Sequence, residues 1–167
     1  MVKLAALAFS LGLLFSLPTF GCCQEDETEE VIRAVLMYLA RDYGKIDLVP
    51  ETHALGLQEI SRKRKNQLII RIANERLRIP ISLAEDYENR NHEKISLANL
   101  NLEIGIPVSP GPSARAVMSL PGFEGNLALL SLVLSHDTPD DRAGFLILLE
   151  NQGGTWTVTK ELCIARS

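Results

Sequence analysis

The sequence predicts an α+β fold in which N-terminal helices pack on an antiparallel sheet formed by the C-terminal third of the chain. Three observations predict it. Apolar residues recur every three to four positions in 27–43, as on one face of an amphipathic helix. Four extended runs separated by turn residues fill the chain from residue 114 onward. Within one of them, 127–134 is apolar on both strand faces except at Ser131, which is typical of a central strand covered on both sides.

The first helix is predicted over 27–43, between an acidic stretch and Gly44. Acidic side chains suit the positive N-terminal end of a helix, and glycine commonly ends one. A short extended segment, 46–49, follows. Thr52 is then expected to cap a second helix that runs to about Arg64.

The middle of the chain is less regular. Its β-branched content favours a strand in 67–79, although a helix over 68–73 stays an alternative. The polar stretch 82–94 is expected to form a loop or a short exposed helix. Alternating residues in 95–106 predict a strand, and the proline-rich segment 107–113 is a connector.

The C-terminal third predicts an antiparallel meander whose strands cover 114–120, 126–135, 143–150 and 155–166. In the last strand, apolar residues share one parity and threonines the other. Side chains of one parity are expected on one face of a strand. The apolar set consists of Trp156, Val158, Leu162 and Ile164.

The segments 144–150 and 153–158 read GFLILLE and GGTWTV, a strand, a glycine turn and a G-x-W-x-V strand. This hairpin resembles the end of NTF2-like and related cystatin-type α+β domains of exported bacterial proteins. The resemblance implies a curved sheet wrapped on helices and, for that family, a cone-shaped cavity. It covers a small part of the chain and carries over no catalytic residue.

Residues 1–23 are predicted to be a secretory signal, followed by a single α+β domain over 24–167. Lys3 precedes the apolar run 4–17, and small residues follow Pro18. As a helix, this run would cover about 21 Å, less than the roughly 30 Å hydrocarbon core of a membrane. A cleaved signal is therefore favoured over a retained anchor, and the protein is expected in the periplasm, the cell envelope or outside the cell.

Two cleavage positions fit the small-residue rule, one before Cys22 and one before Gln24. The pair Gly21-Cys22 resembles a bacterial lipoprotein signal, although Thr19 stands where leucine is usual. That resemblance implies lipid attachment at Cys22. In this case Cys23 could form a disulfide with Cys163, whereas the later cut leaves Cys163 as the one remaining cysteine.

The formal net charge of −4, which becomes −5 once Lys3 is removed, argues against nucleic acid as a partner. Against this background, 62–78 carries seven basic residues and one acid, Glu75. The window is interpreted either as a surface for a partner or anionic lipid headgroups, or as a solvated helix end and strand edge kept soluble by its charges.

A second polar cluster offers a weak candidate metal site. It contains an imidazole and three carboxylates, although its spacing matches no zinc or calcium motif and a hairpin turn is the simpler interpretation. The residues are His136, Asp137, Asp140 and Asp141.

No catalytic or cofactor motif occurs in the sequence, and no cofactor is expected. The leading hypothesis is an exported, non-enzymatic domain that binds an unknown protein or small ligand at the cell envelope. It would meet the membrane only through an N-terminal lipid or an uncleaved signal. The alternatives are a small NTF2-like enzyme or ligand carrier with a pocket under the sheet, and a purely structural lipoprotein.

We expect the mature protein to begin at Cys22 or Gln24, and intact-mass analysis of membrane and soluble fractions distinguishes the two. A diacylated or triacylated Cys22 establishes lipid anchoring. An unmodified N-terminus at Gln24 rules it out.

Overall fold

The computed structural model describes residues 22–57, 60–99, 114–135 and 142–166, and it has a mixed α/β fold. The helices are α1 (Cys22–Tyr43), α2 (Ile81–Arg90) and a short 3₁₀ turn (Leu97–Asn99). The first strands are β1 (Ile46–Leu48), β2 (Ser61–Arg64), β3 (Gln67–Ile72) and β4 (Glu75–Pro80). The remaining strands are β5 (Ala114–Met118), β6 (Gly122–Glu124), β7 (Leu127–Ser135), β8 (Arg142–Gln152) and β9 (Thr155–Arg166).

The larger sheet has the order β1-β5-β7-β8-β9, with β6 also paired to β7. Its strands β5, β7, β8 and β9 are antiparallel neighbours, which confirms the predicted meander. β1 pairs in parallel with β5. The smaller sheet is the antiparallel ladder β2-β3-β4.

Both faces of the larger sheet are covered by apolar side chains because β7 alternates between two separate clusters. Leu130 and Leu132 belong to a cluster that includes Val31, Val35 and other residues of α1. Leu129, one position away, belongs to a second cluster that draws on the smaller sheet and α2. The prediction that β7 is central and covered on both sides is therefore confirmed.

The predicted helix over 27–43 is confirmed, and α1 begins earlier than expected, at Cys22. The predicted second helix from Thr52 to Arg64 is wrong. Thr52 is held by Ile95 instead, because its hydroxyl accepts a hydrogen bond from Ile95 N at 2.8 Å and its own N–H donates to Ile95 O at 2.9 Å. The basic residues that were expected to end this helix form β2.

The segment 67–79 contains two strands, β3 and β4, joined by a tight turn at Ala73, whose φ is 49°. The strand alternative is therefore the better one. The stretch after Pro80 forms α2, which is not an exposed helix, since Leu83, Ala84 and Tyr87 are buried against the smaller sheet and β7. Where the sequence predicts a strand over 95–106, the structure has the 3₁₀ turn Leu97–Asn99. The later residues of that segment and the connector 107–113 lie outside the described residues.

β9 departs from simple alternation. Leu148 pairs with Lys160 and Leu149 with Val158, so Thr159 is an extra residue in β9. A β-bulge of this kind reverses which parity faces which side. Trp156 accordingly packs in the α1 cluster and Leu162 in the second cluster. The expectation that the alternating apolar residues of this strand share one face is wrong for this reason.

A buried polar network fastens the segment before β2 to the sheet. The Tyr87 hydroxyl lies 2.7 Å from Ser131 Oγ and 3.0 Å from Leu55 O. Leu55 N donates to Ser131 Oγ at 3.1 Å, and Ser131 N donates to Ser119 Oγ at 2.9 Å. Burial raises the pKa of the Tyr87 phenol, so the neutral form that makes these bonds is retained. The one polar residue in the middle of β7 is thus explained by hydrogen bonding.

Gly122 is required by the close approach of α2 to β6. A Cβ at this position would lie 2.5 Å from Tyr87 Cα and 2.6 Å from Tyr87 Cβ, and the backbone of a buried helix cannot move aside cheaply. We expect Gly122→Ala to lower the free energy of unfolding by about 2–3 kcal/mol, measured by urea denaturation. The matched control is Gly56→Ala, since nothing lies within 4 Å of the position that its Cβ would take and the change should be close to neutral. Equal effects of the two substitutions would contradict the packing described.

Candidate anion-binding site

The smaller sheet has one apolar face and one basic face. On β3, Leu68 and Ile70 point into the second apolar cluster, and on β4 Leu77 and Ile79 do the same. Because alternate residues of a strand point to opposite faces, Arg71 and the residues that flank these positions lie on the outer face. The sheet therefore carries its arginines on the face opposite to Leu68, Ile70, Leu77 and Ile79.

The strand register brings the outward residues of three strands together. Arg62 and Arg78 lie on either side of Ile69 in one row. Arg71 and Arg76 are paired in the next row. We call this surface the arginine face, and its basic members are Arg62, Arg64, Arg71, Arg76 and Arg78.

The one acid of this region lies on the other side of the sheet. Glu75 pairs with Ile72, whose side chain packs against the second apolar cluster, so Glu75 shares its face and not that of the arginines. Lys160 of β9 adds a further positive charge nearby, because its Nζ donates a hydrogen bond to Arg76 O at 2.7 Å. Among the strand residues that the structure describes, the arginine face thus carries a single sign of charge, although the whole chain is acidic.

Arg76 has the most constrained position on the face. Its Nε is buried and has no hydrogen-bond partner among the described residues. Desolvation, followed by the nearby charges of Arg78, Arg71 and Arg64, lowers the pKa of Arg76. No ion pair between described residues involves the arginine face. Among the described residues, no carboxylate therefore neutralises its guanidinium groups.

Two grooves cross the arginine face. One, of about 640 Å³, is bordered by Arg62 and Arg71. The other, of about 780 Å³, is bordered by Lys65 and Arg78. Both grooves share Arg64, Ile69 and Arg76 as walls.

Ile69 forms the apolar floor between the grooves. Its exposed fraction is 9%, yet it belongs to neither apolar cluster. The methylene stems of neighbouring arginines can cover such a residue while their charged ends stay in water. The arrangement holds the arginine stems against the sheet and keeps their charged ends at its surface.

A separate groove lies between α1 and β9. It is bordered by Tyr38, Met37 and Trp156, with Glu30 as its acid and no histidine in its lining. Trp156 is 6% exposed and packs edge-to-face on Phe123 with ring centroids 5.8 Å apart, which is a packing role.

The cysteines predicted as sites lie in the first helix and the last strand of the described chain. Cys22 and Cys23 begin α1, and their side chains are not described. Cys163 is half-buried against the α1 cluster. Lipid attachment and the Cys23–Cys163 disulfide therefore stay predictions.

The remaining candidate site residues are outside the described part of the chain. They are His136, Asp137, Asp140 and Asp141, and the weak metal site stays a prediction. Within the ranges that the structure describes, none of the helices has the length and apolar character needed to cross a membrane.

We expect the arginine face to destabilise the folded protein when no anion is bound, because like charges directly opposite in a sheet repel. Arg71→Gln removes one member of the Arg71–Arg76 pair and should raise Tm by about 1–3 °C at low salt, measured by differential scanning calorimetry. Added salt should shrink this gain because it screens the repulsion.

The matched control is Arg33→Gln, since Arg33 forms an ion pair with Glu29 and its removal should not raise Tm. A lower Tm for Arg71→Gln at low salt would show that the arginines are stabilised by contacts within the chain.

Comparisons with known proteins leave the geometry to carry the functional argument. No protein-family model, no curated protein and no solved structure matches the chain.

Proposed function

We propose that this chain is an exported, non-enzymatic domain that binds a phosphate-bearing ligand through the arginine face. The observation that carries the proposal is the alignment of Arg62, Arg64, Arg71, Arg76 and Arg78 on one face without an ion-pair partner among the described residues. The whole chain has a net charge of −4, so this concentration of positive charge is local.

The chemistry of the side chains supports a phosphate ligand. The planar guanidinium group presents a fork of N–H donors that matches two oxygens of a phosphate or carboxylate. The buried Nε of Arg76 supplies a donor that lacks a partner in the described chain. An unsatisfied buried donor costs free energy, and a bound oxyanion would recover it.

Protection of a sheet edge explains only part of this surface. Lysine and arginine on the edge strands β2 and β4 do reduce aggregation. Arg71, however, lies on β3, the central strand of the smaller sheet, where no edge is exposed. A mixture of both charge signs would also keep the surface soluble, and Arg71 instead faces Arg76. Ligand binding accounts for both features.

Export and the place of action rest on residues 1–23 and belong to the same proposal. A lipid on Cys22 would hold the domain at a membrane whose anionic headgroups carry phosphate. A curved main sheet with a cavity, as the NTF2-like resemblance implies, would offer a second ligand site on the α1 side. On that side, however, buried apolar side chains pack around Leu130 and Leu132. The arginine face is therefore the better supported of the two sites.

The test compares phosphate sources on the purified protein. We expect inorganic phosphate to bind in isothermal titration calorimetry, and vesicles of phosphatidylcholine mixed with phosphatidylglycerol to bind more protein than phosphatidylcholine alone. Affinity should fall as salt rises. Replacing Arg71, Arg76 and Arg78 by glutamine should weaken binding at least about tenfold, since each charge-assisted hydrogen bond contributes about 1.5–3 kcal/mol.

A control variant removes the same charge elsewhere by replacing Arg33, Arg41 and Arg115 with glutamine, and it should bind normally. Equal loss in the two triple variants would show a response to net charge alone and contradict a site. Binding of polyglutamate without any binding of phosphate would identify an acidic protein as the partner and overturn the phosphate ligand.

A further inference from the structure

The arginine face has two grooves rather than one, and their geometry limits the ligand. Arg62 and Arg71 border the first groove, and Lys65 and Arg78 border the second. Lys63 also borders the first groove; apart from it, each groove has its own pair of cationic side chains, while Arg64 and Arg76 border both. A single phosphate bound by the separate cations of one groove would leave those of the other groove unoccupied.

The spacing of the two grooves follows from the strand register. Arg62 and Arg78 flank Ile69 on the two neighbouring strands. Two steps between adjacent strands separate their Cα atoms by about 9.6 Å. Arg71 of the first groove and Arg78 of the second lie on adjacent strands two residues out of register, which separates their Cα atoms by about 8 Å. Arginine side chains that extend side by side would hold two anions in the two grooves roughly 7–10 Å apart.

The residues shared by the two grooves would allow one ligand to extend from one groove into the other. Ile69 is the apolar residue common to both grooves, and it lies between the two cationic pairs. Arg76 also borders both grooves, and its buried Nε has no hydrogen-bond partner among the described residues. An organic linker could pass over Ile69 while its two end groups reach the arginines.

Resting on the proposed function, we infer that the ligand carries two phosphate groups roughly 7–10 Å apart on one organic backbone, one for each groove. Such a molecule engages both cationic pairs in one binding event. The second contact is then intramolecular, so the affinity exceeds that of either phosphate alone. A phosphorylated soluble metabolite and a lipid headgroup with two phosphates share this chemistry.

Calorimetry with three probes tests the inference on the full protein. Fructose 1,6-bisphosphate carries phosphates at the two ends of a six-carbon sugar, and fructose 6-phosphate is the matched monophosphate. Pyrophosphate has a total charge similar to that of the bisphosphate, but its two phosphates are linked directly. We expect the bisphosphate to bind at least about tenfold tighter than the monophosphate, with pyrophosphate close to the monophosphate.

Single substitutions separate the grooves. Arg71→Gln affects the first groove and Arg78→Gln the second, and each should reduce the affinity for the bisphosphate to that for the monophosphate. The monophosphate should lose no more than about threefold in either variant, because the other groove remains. Arg115→Gln, away from both grooves, is the control and should preserve the preference for the bisphosphate.

Vesicles distinguish the two sources of the ligand. Tighter binding to cardiolipin than to phosphatidylglycerol at equal phosphate, reversed by fructose 1,6-bisphosphate, supports a lipid with two phosphates. A preference confined to the soluble bisphosphate supports a soluble ligand.

Equal affinity for the bisphosphate and the monophosphate would overturn this inference and leave the proposed function in place. Absence of binding to every phosphate probe would overturn both.

Discussion

The burial of β7 on both faces is the constraint on which the rest of the structure depends. Leu129 and Leu130 are adjacent in the chain, and each is fully buried in a different apolar cluster. A strand of this kind is stable only if something covers each side of the sheet. α1 covers one side, while α2 and the inner face of the smaller sheet cover the other. The outer face of the smaller sheet is left to the solvent, and it is the surface that carries the arginines.

The bulge in β9 also helps to cover both faces of the sheet. Without the extra residue at Thr159, the parity that places Trp156 against α1 would also place Leu162 there, and the second cluster would lose a fully buried side chain. The reversal lets one long edge strand contribute to both clusters. It also brings Lys160 to the smaller sheet, where it binds the backbone of Arg76. The packing of β9 therefore helps to hold β4 and its arginines in place.

The elements that sequence reasoning predicts correctly are those with a strong local period. α1 repeats its apolar residues at helical spacing, and the sequence of the meander alternates extended runs with residues that favour turns, so neighbouring residues determine the structure. The helix expected from Thr52 does not form because Thr52 is hydrogen-bonded to Ile95. The two residues are distant in the sequence, so the local pattern does not predict this contact. The bulge at Thr159 escapes prediction for a similar reason, since only the pairing with β8 reveals it.

The sequence predicts the positive charge of the candidate site but not its geometry. The excess of basic residues in 62–78 is visible in the sequence, and a surface for a partner or for lipid headgroups is one of the two interpretations that it allows. The sequence does not show that Glu75 faces the other way, because that depends on the positions of two tight turns. With Lys65 at φ 54° and Ala73 at φ 49°, neither turn carries the glycine that usually marks a two-residue hairpin.

The register of the smaller sheet links the fold to the proposed binding surface. A shift of one residue in β4 would turn Leu77 and Ile79 to the solvent and bury Arg76 and Arg78 in the second cluster. Burial of unpaired guanidinium groups is costly, so this shift is strongly disfavoured. The apolar inner face thus fixes the register, and the register fixes the arginines relative to one another. A binding surface built in this way is preorganised, because its spacing is set before any ligand arrives and no ordering of a loop has to accompany binding.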